Sequence, residues 1–482
     1  MAEPLEGARR RGAYAVAVVV AALTIVDLSK VNVALPAIET ALGPAPAALQ
    51  LVVAGYVLTF GLALVPAGRL GDQRGRRPLF IVGLILSAIA SAVSGAAPDA
   101  TVLLVARLVQ GVAAGIQMPQ VIGLIQSLYS GAARARAFGW FGALIGTSVS
   151  LGPTLGGLAI ALGGPVDGWR WVFWLNVPLA LAALVGVLVL VPRREAERVR
   201  GGLDPVGLLL CGVAALALMW PFLFTTGSAD DPPVRWLLLV VSAVAVAGLV
   251  AWERRYERSG RTPLVPLALF GFPSFRHSVL VSLAYFAAGP PLFLVTALFL
   301  QGTGLTPLQA GLVTVGFAVT SALASAIGGR FPSRARVLVV CGCVILLGAV
   351  LLLALLALTA PRPWITPGFV ALLTLAGVGG GFTVAANQSV MLIDVPLDHG
   401  GVAGSVGQLA QRIGTAIGSA VALSLFQATL AHGAHREAFG TAALAIGGFL
   451  ILAVLFALLD LRRRRRAGAE RQPFPGGRRL RS

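Results

Sequence analysis

Residues 68 to 79 read GRLGDQRGRRPL, a short polar stretch with four arginines and a single acid. The apolar runs on either side, 48–67 and 79–97, each approach the ~20 residues that carry a helix across a bilayer. Gly68, Gly71 and Gly75 let the connection turn tightly and sit close to neighbouring backbone. Asp72 is surrounded in sequence by Arg69, Arg74, Arg76 and Arg77, so it is expected to be paired.

The same alternation of long apolar run and short charged turn continues along the chain. Its 482 residues are 57% hydrophobic and 12% charged, with mean hydropathy +0.88. A soluble protein carries about twice that charge, and a soluble fold of this composition would need a core larger than single domains build. The composition therefore predicts an all-α polytopic membrane protein. Apolar runs place fourteen spans at 14–38, 48–67, 79–97, 101–127, 137–162, 171–191, 204–224, 236–252, 277–300, 308–329, 337–358, 365–391, 402–430 and 438–461.

Charge sets the orientation. Of 37 Lys and Arg, three lie within spans (Lys30, Arg107, Arg412), and only Arg170, Arg235, Arg362 and Arg436 lie on one side. The remaining 30 lie on the other side, which the positive-inside rule makes cytoplasmic, with both termini. The net charge of +18 is then topological, and nucleic acid is not an expected partner. The run RRRRR (462–466) reads as an anchor for anionic lipid headgroups. The basic residues ahead of the first span resemble a signal peptide, but that run is too long for one and reads as an uncleaved first helix. Cys211, Cys341 and Cys343 all fall in apolar segments, so no disulfide framework is expected.

The chain contains an internal echo. GRFPSRARVL (329–338) is a degenerate copy of the 68–79 loop without its aspartate, and Gln50 and Gln309 begin the spans that precede the two loops. Two six-helix halves with an inserted pair follow from this spacing. The expected division is a cytoplasmic N-terminus (1–13), a six-helix bundle (14–192), two inserted helices with Arg-rich flanks (193–276), a second bundle (277–461) and a basic tail (462–482). Repeated halves around a central cavity are how secondary transporters alternate access.

These motifs carry a family resemblance. GRLGDQRGRRPL resembles the loop signature after the second helix of the major facilitator superfamily, and VARLVQGVAAG (105–115) resembles its fourth-helix motif. GPTLGG (152–157) matches a fifth-helix element associated with antiporters. VDLSKVNVALP (26–36) and GWRWVFWLNVP (168–178) are similar to the fourteen-helix drug/proton antiporter family, and GVAGSVGQLAQRIGTAIG (401–418) resembles it more loosely. The resemblance implies a major facilitator fold with fourteen helices arranged six, two, six. It also implies a gating latch at Gly68, Asp72, Arg74, Gly75 and Arg76. A cavity-sealing glycine face would be built from Gly152, Pro153, Gly156 and Gly157, extended by Gly142 and Gly146. Plain positive-inside charge and static helix packing are the bland readings of the two motifs. Ser148 stands where the family usually has glycine.

Ionisable residues inside spans cost about 2.5–3.5 kcal/mol at a helix centre, so they face a partner or a cavity. Thr24, Asp27 and Lys30 share one face of the first helix, while Asn32 points elsewhere. Arg107, Gln110, Ala114 and Gln117 form a stripe on the fourth helix. Ser405, Gln408, Arg412, Thr415 and Ser419 form another on the thirteenth, with Gln411 beside it. Asn387 and Gln388 on the twelfth helix would meet substrate or bond between helices. Asp27 is the one acid read as deep in a span, and with Arg107 it forms the candidate proton-coupling pair. The family's first-helix aspartate supports that role; a static Asp27–Lys30 ion pair is the alternative. Two nearby cations would compete with a proton for the carboxylate, and Lys30 departs from the apolar residue usual in the family.

Trp169, Trp171 and Trp174 read as an interfacial belt. HGAH (432–435) lacks a third ligand, so no metal site is expected, and no cofactor, phosphate-binding loop or nucleophile–base pair is present. The chain is not expected to be an enzyme. The best reading is a monomeric, proton-coupled exporter of small amphipathic drugs or metabolites in a bacterial plasma membrane, with substrate, protons and lipids as partners. A metabolite uniporter or importer is the alternative, with a membrane-embedded enzyme a distant third. The deep charges sum to +2, so neutral, zwitterionic or anionic substrates are expected, with Lys30 as the discriminating residue.

Overall fold

The computed structural model describes residues 7–43, 46–164, 167–192, 204–223, 233–259, 261, 263–432 and 435–470. Within them every regular element is helical. Helices α1 (Gly7–Leu42), α2 (Pro46–Arg74), α3 (Arg76–Gly95), α4 (Ala100–Leu128) and α5 (Gly131–Gly163) come first. A broken segment follows, α6 (Gly168–Trp174) and α7 (Asn176–Leu190), and then α8 (Pro205–Leu223) and α9 (Leu238–Arg258). Two further broken segments pair α10 (Pro273–Phe286) with α11 (Gly289–Gly302), and α12 (Pro307–Leu312) with α13 (Val315–Gly328). The series ends with α14 (Ala335–Thr359), α15 (Arg362–Met391), α16 (Gly400–Leu430) and α17 (His435–Glu470). Among the described residues, thirteen segments are long and apolar enough to cross a membrane; α5 is the other long helix, and several of its side chains lie outside the described set.

Local chemistry sets the helix ends. Asp99 caps α4 by accepting from the backbone N–H groups of Thr101 (2.8 Å) and Val102 (2.9 Å), which satisfies donors a helix N-terminus otherwise leaves unpaired. Gly75 turns the chain between α2 and α3 at φ 92°, a conformation that favours glycine. The break between α10 and α11 precedes Pro290 and Pro291, which have no N–H to continue the helical ladder.

Pairing between helices repeats along the chain. α2 lies on α4 and α13 on α15; α3 lies on α4 and α14 on α15. α1 meets α5 as α10 and α11 meet α16, while α3 meets α7 as α14 meets α17. The match reaches individual atoms. Thr59 Oγ1 donates across to Leu108 O (2.8 Å), and Thr320 Oγ1 to Thr374 O (2.6 Å). A methyl group added at Gly111 would fall 2.4 Å from Tyr56 O, and one at Gly377 would fall 2.3 Å from Phe317 O. Both crossings are close enough to admit only glycine.

The two sets of helices meet through α5 against α13 and α15, and through α2 and α4 against α16. At the end that carries the α2–α3 turn the approach is backbone to backbone: a Cβ on Gly139 would sit 2.9 Å from Gly329 Cα, and one on Gly68 would sit 2.7 Å from Gly401 O. α8 and α9 pair with each other, and α8 also rests on α2 and α16. Trp169 corrects the belt expected from sequence. It is fully buried against Phe173, leaving Trp171 and Trp174 as the exposed rings, because helical spacing puts Trp169 on the buried face of α6 with Val172 and Phe173. The Asn32 and Gln50 side chains, residues 193–203 and residues 433–434 of HGAH lie outside the described set, as do the side chains of Arg464, Arg465 and Arg466.

Candidate functional site

Asp27 sits on α1, and two other helices bring it partners, joined by Lys30 from its own helix. From α4, Arg107 Nη1 donates to its Oδ2 at 3.0 Å. From the start of α7, Asn176 Nδ2 donates to its Oδ1 at 2.5 Å. Lys30 Nζ stands 3.5 Å from the same Oδ1 and donates a short hydrogen bond to Asn176 Oδ1. Arg107 also donates to Gln110 Oε1 (2.8 Å) and, through Nε, to Val52 O on α2 (3.3 Å), while its guanidinium lies 4.2 Å from the centre of the Tyr56 ring. Gln110 passes the chain on to Ser91 Oγ of α3 at 2.7 Å. All these side chains are buried. A buried cluster of this kind persists only while its charges are paired and its hydrogen bonds are made.

The rest of the first-helix face continues the network. Thr24 Oγ1 donates to Val20 O (3.0 Å) and reaches Gln117 Oε1 at 3.4 Å. Thr24, Asp27, Tyr56, Gln110, Gln117 and Asn176 line a cavity of about 20 Å³, room for one water molecule. The structure thus joins Thr24, Asp27, Lys30, Arg107, Gln110 and Gln117 in one place. Asn176, Ser91 and Tyr56 belong with them and were missed. A lone asparagine inside the apolar run 171–191 was the available signal for Asn176.

The α16 residues form a separate group. Arg412 lies with its guanidinium 4.5 Å from the centre of Phe60 on α2. Thr415 Oγ1 turns back to Gln411 O (2.9 Å), and Ser405 Oγ to Gly401 O (2.7 Å); Gln408 and Gln411 are buried. Asn387 Nδ2 donates to Ser278 O (3.0 Å) and Ser282 Oγ (2.9 Å) of α10, which makes it an interhelical bond. Gln388 is buried, and among the described residues its Nε2 has no hydrogen-bond partner.

At the α2–α3 turn, Asp72 pairs with Arg76 Nη2 at 3.1 Å and accepts from the backbone N–H groups of Gly401 (3.0 Å) and Val402 (2.9 Å), the first residues of α16. A carboxylate at a helix N-terminus meets both free donors and the positive end of the dipole. Gly68 gives α16 its close approach; Arg74 is exposed at the turn. Arg77 Nη2 donates to Leu188 O at 2.5 Å.

The α5 glycines do not form one face. Gly142 and Gly146 point at α15 and α13, with Ser325, Ala385 and Ser321 as neighbours, whereas Gly152 and Gly156 point at Ser29 and Lys30 of α1. Gly157 has open space around it, and the Pro153 side chain lies outside the described set. The expectation of a single extended face is corrected by helical geometry: at 3.6 residues per turn, positions 146 and 152 fall on different sides.

A third polar group lies at the base of the inserted helices. Glu253 on α9 is fully buried and accepts from Leu264 N and Val265 N, both at 3.1 Å. Asp204 accepts from Trp252 Nε1 at 2.9 Å and from Gly207 N at 2.9 Å. Sequence reading passed over both acids because they stand near the ends of apolar runs. Among the described residues no cluster of His, Cys, Asp and Glu could hold a metal ion.

Comparison with known proteins agrees with this arrangement. The probable actinorhodin transporter of Streptomyces coelicolor is 32% identical, over 88% of this chain and 74% of that protein. The puromycin resistance protein of Streptomyces alboniger is 33% identical over 96% and 95%. The solved proton:xylose symporter shares the fold at TM-score 0.65 and 15% identity, covering 94% of this chain and 96% of that one. A family model described as Major Facilitator Superfamily matches residues 17–419. With repeated helix pairings and a multi-pass apolar architecture, the chain belongs to the major facilitator superfamily, a family of membrane transporters rather than enzymes.

Proposed function

We propose that the chain is a proton-coupled exporter of small amphipathic molecules, drugs or secondary metabolites, in a bacterial plasma membrane. The single observation that carries this reading is the buried Asp27, shared among Arg107, Asn176 and Lys30 between helices α1, α4 and α7. A proton that reaches Asp27 takes the place of Arg107 and Asn176 as the carboxylate's partner. The released groups then shift against α2 through Tyr56, and this links the proton to helix movement. One proton crossing 100 mV supplies about 2.3 kcal/mol, which sustains a roughly fifty-fold gradient of a neutral solute.

In this reading α5 is the fourteenth span, the helices divide six, two, six, and both termini are cytoplasmic. The matched pairings on either side of α8 and α9 support the division into bundles 14–192 and 277–461. The Asp72 latch then lies on the cytoplasmic side, and the conformation described is closed there. Relatives named as an actinorhodin transporter and a puromycin resistance protein support the drug or metabolite class. The test is transport by purified protein in proteoliposomes under an imposed pH gradient, with a panel of antibiotics and dyes. Substrate flux that follows the gradient's sign supports antiport; flux that is indifferent to pH favours a uniporter instead.

A further inference from the structure

Arg412 stands apart from the other buried charges. It lies on α16, across the α2–α16 seam from Asp27, and is 8% exposed. Among the described residues no carboxylate pairs with it, and its Nε has no hydrogen-bond partner. Its guanidinium rests instead on Phe60. Tyr56 lies one helical turn from Phe60 on α2 and carries Arg107 of α4, and the two rings meet edge to face with centroids 6.1 Å apart. Each ring therefore carries a guanidinium, but Asp27 neutralises only that of Arg107. A ring face holds a cation more weakly than a carboxylate does in a low dielectric. An ionisable group at membrane depth marks a pathway or a partner, and Arg412 has no acidic partner within the described chain.

Lys30 does not share this position. Its ammonium is engaged by Asp27 and Asn176, and its backbone and Cβ lie against Gly156 of α5, on the far side of α1. The residue that the charge sum pointed to is thus tied up, and Arg412 is the cation left to meet a substrate.

We infer that Arg412 reads the charge of the exported molecule. When the seam parts, it leaves Phe60 and pairs with a single acidic oxygen group, such as a carboxylate or phenolate. The vacated face of Phe60 then stacks the molecule's aromatic body, while Tyr56 stays under Arg107. The substrate class is an aromatic acid that presents one acidic group to Arg412. The inference takes its direction of transport from the exporter reading, but binding at Arg412 does not depend on that direction.

Two readouts keep the site and the exporter reading separate. The probes are fluorescein, an anionic xanthene dye, and rhodamine 123, a cationic dye with the same ring system. Binding to the purified full chain is followed by fluorescence anisotropy, and flux is followed in proteoliposomes under a pH gradient. Arg412→Gln should weaken fluorescein binding by about tenfold or more, as expected for loss of a charged hydrogen-bond partner, and leave rhodamine 123 binding unchanged or tighter. Arg412→Lys should keep part of the fluorescein binding, since it retains the charge but not the planar fork. Phe60→Leu should weaken both dyes. Equal loss of both dyes in Arg412→Gln, or a wild-type preference for rhodamine 123, overturns the inference. If Arg412→Gln is not recovered folded, an unchanged ratio of the two affinities in Arg412→Lys overturns it as well. Arg412-dependent binding without gradient-driven flux would remove the exporter reading and leave the anion site standing.

Discussion

Asp27 and Lys30 are three residues apart and share Asn176, yet only Asp27 also pairs with Arg107. Asp27→Asn removes the charge that Arg107 and Lys30 share, and breaking a buried pair this way costs up to about 3–5 kcal/mol. Gradient-driven efflux should vanish and thermal unfolding should shift to lower temperature; normal pH-driven flux in that variant would sink the coupling assignment. Lys30→Met should lower stability in the same direction while leaving the preference between fluorescein and rhodamine 123 as in the wild type, because Lys30 faces Asn176. A changed dye preference would return substrate discrimination to Lys30. Three-residue steps in the sequence put Asp27 with Lys30 on one face of α1 and Arg107 with Gln110 on one face of α4, since a helix face is fixed by periodicity; the family resemblance, not the periodicity, set those two faces toward one cavity. Asn176 was not legible in the same way. Its orientation depends on where α6 gives way to α7, and no local pattern announces that break.

At the scale of elements, the α2–α3 turn and the inserted helices both fasten α16 to its surroundings. Asp72→Asn leaves Arg76 without its carboxylate and weakens both bonds to α16. Cysteine probes placed at that mouth should react faster, and the substrate gradient that the protein sustains should fall. Unchanged accessibility with normal transport would reduce the turn to a topology signal. Glu253 holds the segment after α9, whose Leu264 and Val265 pack with Val65 of α2 and against Val406 and Leu409 of α16. Glu253→Ala strands two buried backbone donors and should cost about 2–6 kcal/mol, with faster hydrogen exchange at Leu264 and Val265 as the local signature. Exchange at those amides equal to the wild type would show that the carboxylate does not hold them. The turn was readable from its single acid among arginines. The Glu253 anchor was not, because an acid at the end of an apolar run looks like a solvated flank until the chain folds back over it.

Across the whole molecule, apolar run length was sufficient to read a multi-pass helical chain, and a degenerate loop copy hinted at its repeat. The deeper equivalence of Thr59 with Thr320 and of Gly111 with Gly377 was hidden, since their neighbours in sequence differ while their helix crossings do not. The closed end of the molecule carries a consequence for rate. Parting it breaks both backbone bonds of Asp72 and separates Gly68 from Gly401 and Gly139 from Gly329, whichever cargo is inside. Two charge-assisted bonds amount to about 3–6 kcal/mol, a factor of roughly 10²–10⁴ in a rate constant. That barrier belongs to the protein and not to the cargo. Chemically unlike substrates should then share one ceiling velocity and differ only in the concentration that half-saturates it. Initial-rate curves for a mixed panel should converge on a common plateau, and plateaus spread over orders of magnitude would put the slow step at release of the cargo.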